Sequence, residues 1–597
     1  MPDLISRRDL DFLLYEWLDV PSLTGYQRFS EHSRETFDGL LDLSEQLAEQ
    51  HFAPHNRLGD TAEPTFDGEK VTTLPEAAEA LRAFAAADLI AAPLTEEQGG
   101  FGLPNSVYGA CMTLFGAANA ATAGYEMLTL GNARLLLAHG SEEQVERFVH
   151  PMLTGRFSGT MALSEPDAGS NLADITTRAE PQADGTYRLF GQKMWISGGD
   201  HEMTENIVHL VLAKIPGAPA GTKGISLFIV PKYLVADDGS LGERNDVVLS
   251  GINHKMGFRG TVNTAPVFGS GAFTPEDQAG AVGYLVGEEN RGLPYMFHMM
   301  NEARISVGMG ATALGYTGYL KSLAYAKDRL QGRAFGQPQS GPQVPIIEHA
   351  DVRRMLLAQK SYVEGGLALG LYAWRLVDEL DALSDEGSDV ADKQLLLDVL
   401  TPIAKSWPSQ WCLEANSLAI QVLGGAGYTR DFDVEQHYRD NRLNPIHEGT
   451  HGIQGLDLLG RKVLGTQGRG LMLLAAEMGR TADRAEALGG EAADLAQQLR
   501  ASIAALGEAT AAIGALPGVE AMLANATAYL EVVGHLVVAW LWLEQYLAAD
   551  GREGGFYDGK RQATRYFYRW ELPRTQPLLD ALARGDDTFL TMRTDWF

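Results

Sequence analysis

Cysteine is scarce in this chain. Only Cys111 and Cys412 occur among 597 residues, too few for a disulfide framework, a thiolate zinc site or an iron–sulfur cluster. A reducing compartment is therefore expected, with both thiols serving as small core side chains. Positive charge is also in short supply: 48 Lys and Arg stand against 77 Asp and Glu, a net charge of −29. Nucleic acids and anionic membranes bind through clustered Lys and Arg, so neither is expected as a partner. Long apolar runs are missing too. The most hydrophobic stretch lies between Glu531 and Glu544 and contains His535; it falls short of the ~20 residues a membrane span needs and reads as a buried helix. Near the amino end Arg7-Arg8 is followed by Asp9, Asp11 and Glu16, which interrupt the apolar run of a secretory or twin-arginine leader. The expected location is cytoplasmic.

What is present has the makeup of a soluble multidomain protein. A hydrophobic share of 45% can fill cores, and the length exceeds what one core organises. The α+β order is legible in the patterning. Residues 1–155 form an N-terminal helical domain, with apolar residues at three- and four-residue spacing in 33–49 and 74–87 and an Ala/Leu-rich stretch at 117–138. The loop PLTEEQGGFGLP, 93–104, reads either as a plain helix connection or as one wall of a ligand cavity. Over 156–285 the pattern turns to short alternating runs bounded by Gly and Pro, predicting a central antiparallel β domain. Helical spacing returns at 293–331, 346–383, 391–424 and 449–464, a four-helix bundle within 286–465. An extra helical extension occupies 466–597, where Arg561, Arg565 and Arg569 recur at i, i+4, i+8 as a solvated or intersubunit face.

The chemistry centres on 421–462, QVLGGAGYTRDFDVEQHYRDNRLNPIHEGTHGIQGLDLLGRK. Glu448 stands there between Pro445 and a helical pattern, with Gly449 beside it. Two readings compete. His447, Glu448 and His451 spell H-E-x-x-H, the spacing that sets two imidazoles on one helical face around zinc. That motif needs a helix, whereas Pro445 and Gly449 favour a turn that becomes helical at about Gly449, leaving Glu448 as a general base. The β domain opens with MALSEPDAGSNLADITTRA, 161–179, and continues to KMWISGG, 193–199. Its hydroxyls and free turn amides suit a ligand dense in acceptors, and Trp195 offers a flat face, although such loops are more often structural.

Taken together and in order, TEEQGGFGLP, ALSEPDAGS, KMWISGG, GEENRGL, NEARISVG, YAKDRLQGRAFG, QVLGGAGY and IHEGTHGIQ resemble the acyl-CoA dehydrogenase family as far as about residue 464. The resemblance implies a helical domain, a β domain and a four-helix bundle, with FAD held between domains and across a subunit interface, hence at least a homodimer. It implies that Ser164, Ser170, Trp195 and Ser197 contact the flavin end, Ser197 standing where many relatives carry Thr. Arg329 would reach the pyrophosphate of a neighbouring subunit's FAD, or Arg333 in its place, because LQGRAFG is longer than the usual segment. Gln421, Gly424 and Gly425 would take the adenosine side, with Thr450 also on the cofactor.

Glu448 falls where the family commonly carries its base, with His447 in place of tyrosine, while Gly449 and Arg304 would line the substrate site. The implied reaction removes the α proton and β hydride of an acyl-CoA, with the amide of the catalytic glutamate and a ribityl hydroxyl polarising the thioester. Electrons would pass to an electron-transfer flavoprotein near Trp195. With FLLYEWLDV, GINHKMGFRG, GYLVGEENRGLPYMFHMMNEAR and a tail of about 130 further residues, the chain most resembles the long branch that acts on 3-methylmercaptopropionyl-CoA in dimethylsulfoniopropionate breakdown. A short- or medium-chain fatty acyl-CoA is the alternative substrate. Acyl-CoA oxidase, alkylation-response flavoprotein and zinc peptidase are the remaining alternatives.

Overall fold

The computed structural model describes residues 4–597, leaving aside the side chains of His298 and Met299. It divides into two compact units. One comprises Met1–Arg34, Pro104–Thr113 and Arg304–Phe597, the other Glu35–Leu103 and Leu114–Ala303.

The second unit is built on a nine-stranded sheet. Its main path runs Val247–Ile252, Asn263–Phe268, Tyr187–Gln192, Ala281–Leu285, Ile225–Pro231, Asn206–Lys214, Phe157–Ala162. The near-continuous apolar run of Asn206–Lys214 is buried along almost its whole length, as expected of a strand covered on both faces. Leu189, Val211, Phe228, Val230 and Phe268 meet in one core. The pairing is antiparallel except that Phe157–Ala162 runs parallel to Asn206–Lys214, from Phe157 opposite Asn206 to Ala162 opposite Val211. Arg178 makes a further parallel contact with Lys214. The expectation of an all-antiparallel sheet is corrected here. A parallel pair needs a long connection, and residues 163–205, which contain the SEPDAGS loop and the KMWIS strand, form it.

The first unit is a helical bundle. Its long helices are Gly292–Asp328 (from residue 304), Ala350–Asp385 and Ala391–Leu423, followed by Val434–Asn441 and His451–Leu456, which continues as the π-helical turn Asp457–Val463. Helix Ala391–Leu423 carries Pro402 and Pro408 in its interior. Proline at 408 has no N–H to offer the carbonyl of Ala404. That oxygen instead lies against Gly308 of the neighbouring helix, where an added Cβ would sit 1.8 Å from it, so glycine is required for the helices to approach this closely.

The extension completes this unit through helices Arg469–Leu488, Gly490–Gly514, Ala526–Ala548, Gly555–Tyr566 and Thr575–Arg584. Ala526–Ala548 is long and apolar enough to cross a membrane by composition, yet 83% of its most apolar window is buried inside the protein. It packs on the bundle, and Trp542 Nε1 donates to Ser361 O at 3.1 Å. The arginine stripe is spent internally: Arg565 clasps Glu491 at 2.6 Å and Arg561 pairs with Asp558 at 2.6 Å.

A buried ionic knot ties the amino terminus, the bundle and the extension. Lys560, fully buried, meets Glu364 at 2.8 Å, donates to Gln545 Oε1 at 2.9 Å and pairs with Asp9. Tyr316 donates to the same Asp9 at 2.9 Å. Removing the cation leaves buried Asp9 with only the Tyr316 hydroxyl, while Glu364 keeps its pairing with Lys360. Lys560→Ala is expected to lower stability by about 3–5 kcal/mol, read as an earlier denaturant midpoint; an unchanged midpoint would show that the knot does not hold these segments together.

Candidate active site

The bundle holds Glu448 on a turn shaped by its neighbours. After Val434–Asn441, Pro445 opens residues 445–450, and the next helix begins at His451 with Thr450 as its N-cap, its hydroxyl accepting from Ile453 N at 3.3 Å. Glu448 has φ +51° and Gly449 φ +92°. A non-glycine residue in the left-handed region is held there by its surroundings, at a cost on the order of 1 kcal/mol. The surroundings are visible: Gln454 Nε2 donates to Glu448 O at 2.9 Å, and a Cβ on Gly449 would sit 2.6 Å from that same nitrogen. His447 and His451 thus flank a break and do not share a helical face.

A one-way ladder of amides anchors the turn in the bundle. Asn416 Nδ2 donates to Leu314 O (2.9 Å), Asn441 Nδ2 to Asn416 Oδ1 (2.7 Å) and Asn444 Nδ2 to Asn441 Oδ1 (2.9 Å). His447 Nε2 meets Asn444 Oδ1 at 2.9 Å, which assigns the proton to Nε2 because that oxygen can only accept. Burial first, and then the charge of Lys405, pushes His447 down to about 3. His451 is held at about 4 by burial, Lys405 and Arg442. Both imidazoles are neutral near neutral pH.

Glu448 itself is enclosed by protein on most sides but keeps some open surface. Burial raises its carboxyl above the usual range, and Lys405 and then Arg304 oppose that rise. Among the described residues its carboxylate makes no ion pair or hydrogen bond, and its amide N–H has no acceptor. A carboxylate with free lone pairs, beside a free amide donor on a fixed turn, can take a proton from a bound carbon acid while the amide polarises the adjoining carbonyl.

Arg304 is not the surface residue that a lone helical arginine suggests. It is buried and donates to Asp457 Oδ2 at 2.8 Å. Lys405, Asn416, Asn441, Asn444, Gln454 and Asp457 escaped the sequence reading. The signal for Lys405 was a single cation inside the apolar run LLLDVLTPIAKSW, between two prolines.

The other candidate residues fall in two groups. In the second unit, Met194 N donates to Ser164 O at 3.0 Å, joining the SEPDAGS loop to the KMWIS strand. Buried Glu165 fastens that loop, accepting from Lys193 Nζ at 3.0 Å and from both Thr176 N (2.7 Å) and Thr177 N (3.0 Å). On this frame Trp195 stands 63% exposed at φ +67°, Ser170 is exposed, and Ser197 Oγ accepts from Asn263 Nδ2 at 3.2 Å.

In the first unit, Gln421, Gly424 and Gly425 lie exposed at the end of helix Ala391–Leu423, and a Cβ added to either glycine would meet nothing within 4 Å. Arg329 is exposed, whereas Arg333 is partly buried and bonds its neighbour's carbonyl, Gly332 O, at 3.0 Å. A cavity of about 710 Å³ lies elsewhere in this unit, lined by Trp17, Tyr372, Trp540 and a set of acids and bases that includes Glu379 and Lys393, which pair with each other; Glu448 is not part of it.

An unpaired, enclosed carboxylate on a bundle turn suits a general base without fixing the reaction it serves. The comparisons narrow it. Residues 36–156, 160–269 and 290–464 match the N-terminal, middle and C-terminal domain models of acyl-CoA dehydrogenase, and 474–593 match a model described as acetyl-CoA dehydrogenase C-terminal like. The chain is 36% identical over 551 residues to 3-methylmercaptopropionyl-CoA dehydrogenase of Ruegeria pomeroyi, covering 91% of this chain and 90% of that protein. It is 33% identical to a broad-specificity linear acyl-CoA dehydrogenase of Mycobacterium tuberculosis, covering 95% of each. Among solved structures, an acyl-CoA dehydrogenase complexed with FAD from Bacillus anthracis shares the fold with a TM-score of 0.74 at 20% identity, over 96% of this chain and 91% of that one. The chain belongs to the acyl-CoA dehydrogenase family.

Gly449→Ala places a methyl against Gln454 in a backbone conformation that disfavours it. We expect a stability loss of about 1–2 kcal/mol and a larger proportional fall in acyl-CoA-dependent dye reduction, because the Glu448 carboxylate moves with the turn. Equal activity at equal concentration of folded protein would show that the turn tolerates displacement.

Proposed function

We propose that the chain is an FAD-dependent acyl-CoA dehydrogenase that converts 3-methylmercaptopropionyl-CoA to 3-methylthioacryloyl-CoA in dimethylsulfoniopropionate breakdown, with Glu448 as the base. The observation that carries the reading of the site is the enclosed Glu448 carboxylate, left without a partner on a turn whose own amide is also free. Support for the substrate is the 36% identity to the Ruegeria enzyme of that name.

The residues present fit FAD. The exposed Trp195 indole can cover a flat ring, with Ser164, Ser170 and Ser197 nearby in the chain to bond its polar edge. The open backbone at Gly424 and Gly425 beside Gln421, together with Thr450 and the exposed Arg329 or Arg333, suits the adenosine and pyrophosphate parts. FAD, when bound, supplies the acceptor for the hydride lost from Cβ.

The protein's part is to make the α proton removable. The free amide of Glu448 donates to the thioester oxygen, so that negative charge developing there is stabilised as the proton leaves. Glu448 takes that proton. Its raised pKa brings it toward the working range of a general base. The neutral His447 and His451 add no positive charge that would quench it. Electrons leave to an electron-transfer flavoprotein. Two copies of the chain form at least a dimer, which accounts for the fully exposed Phe335 and Tyr428 on the bundle, and the enzyme works in the cytoplasm.

The second reading, a short- or medium-chain fatty acyl-CoA substrate, is favoured by the Mycobacterium enzyme and by a butyryl-CoA dehydrogenase of Syntrophomonas wolfei that is 30% identical over all of this chain and 99% of its own length. An acyl-CoA panel with a dye acceptor separates the two. 3-Methylmercaptopropionyl-CoA is expected to give the highest kcat/KM; a tenfold preference for butyryl- or octanoyl-CoA would reverse the assignment. Glu448→Gln is expected to bind FAD and thioester but to bleach the flavin at least about a thousandfold more slowly.

A further inference from the structure

Lys405 lies fully buried on helix Ala391–Leu423, between Pro402 and Pro408. An ammonium removed from water ordinarily takes a carboxylate partner. Among the described residues Lys405 has none in contact. Its Nζ donates instead to two backbone carbonyls, Asn444 O and Gly449 O, both at 2.7 Å. Those two oxygens bracket the turn that carries Glu448. The same lysine's own carbonyl accepts from Ser409 Oγ at 2.6 Å.

We propose that Lys405 is a positioning residue for the base: it clamps both ends of the 444–449 turn and holds a fixed positive charge beside a carboxylate it does not touch. The inference rests on the reading of Glu448 as the base and assigns the group that makes that carboxylate usable. The charged groups facing Glu448 come from three directions. Arg304, on helix Gly292–Asp328, is already neutralised by Asp457 on the π-helical turn. On Glu448's own segment His447 and His451 are neutral, and Arg442 faces His451. Of the two cations whose charge reaches Glu448, Arg304 and Lys405, Lys405 is the one that no carboxylate contact offsets among the described residues. Burial draws Lys405 itself down to about 8, so it stays charged through neutral pH and gives up its proton just above.

The signs follow. Without Lys405, burial of Glu448 goes less opposed, its pKa climbs further, and the acid limb of the rate profile moves to higher pH. With guanidinium in place of ammonium the charge persists to high pH, and any alkaline fall near the lysine's own titration disappears. The test uses the FAD-loaded full chain, with anaerobic flavin bleaching by butyryl-CoA followed from about pH 6 to about pH 9. Lys405→Met keeps length and apolar fit while removing the charge.

Lys405→Met is expected to bleach at least about tenfold more slowly, with its acid limb raised by about one pH unit. Its affinity for a non-oxidisable alkyl-thioether CoA should fall less than its rate. Lys405→Arg should restore the acid limb and flatten the alkaline one. A wild-type rate and acid limb in Lys405→Met, with Glu448→Gln inactive, overturns the inference and leaves the base in place. Bleaching that persists in Glu448→Gln overturns the base itself. Should Lys405→Met not fold, Lys405→Arg decides alone: an alkaline limb that stays where the wild type has it overturns the role.

Discussion

A carboxylate largely enclosed by protein yet left without a partner among the described residues is the constraint on which this structure depends. Burial favours its protonated form, and the ordinary remedy, a direct ion pair, would occupy the lone pairs that a base needs. The bundle resolves the conflict by distance. Arg304 is tied to Asp457 and Lys405 to two carbonyls, so positive charge stands near Glu448 while no donor is spent on it. Backbone carbonyls are suitable partners for such a lysine, since they bind an ammonium without cancelling its charge.

The same constraint explains why so much of the first unit is built around a six-residue turn. Glu448 at φ +51° persists only where neighbours over-determine it. Those neighbours reach outward: the amide ladder to Leu314 O on one side, Gln454 on the other. One residue past Gln454, an added Cβ at Gly455 would meet Ala526 O at 2.7 Å. Ala526 begins the buried helix of the carboxy-terminal extension, which also packs on the bundle through Trp542 and Ser361. The extension therefore backs the helix that follows Glu448, and the Lys560 knot fixes that backing to the amino-terminal segment.

How much of this was legible in the sequence depends on the range of the interaction concerned. Local punctuation worked: Pro445 and Gly449 predicted a turn in place of a zinc-binding helix, and helical spacing at 391–424 located Ala391–Leu423 despite its two prolines. That spacing survived because Pro402 and Pro408 sit among apolar residues already committed to the core. Long-range pairing was less visible. Nothing in Phe157–Ala162 announces a parallel partner, since strand direction is set by the path of the connection and not by the strand's own residues. Short helix Val434–Asn441 was hidden because its composition is polar; the tertiary contacts of Asn441 hold it. Lys405 escaped for a related reason: a lysine's fate is decided by what lies across the helix interface, and its two acceptors are backbone atoms that carry no residue signature.

His447, standing where the resemblance predicts tyrosine, fits the same electrostatic scheme. Its Nε2–H is committed to the amide ladder, and each amide in that ladder donates in one direction, so the ring's tautomer is fixed from the bundle outward. The charge on Lys405 that opposes protonation of Glu448 also opposes protonation of both imidazoles. One buried cation thus imposes opposite outcomes on acid and base: the carboxyl is drawn toward its charged form while the rings are kept in their neutral form. Between about 4, where His451 takes a proton, and about 8, where Lys405 releases one, the charges of these two neighbours of Glu448 stay fixed. A site that must present one ionisable group to a carbon acid gains from holding every neighbour's charge constant across the working range, and here the geometry of a single lysine achieves it.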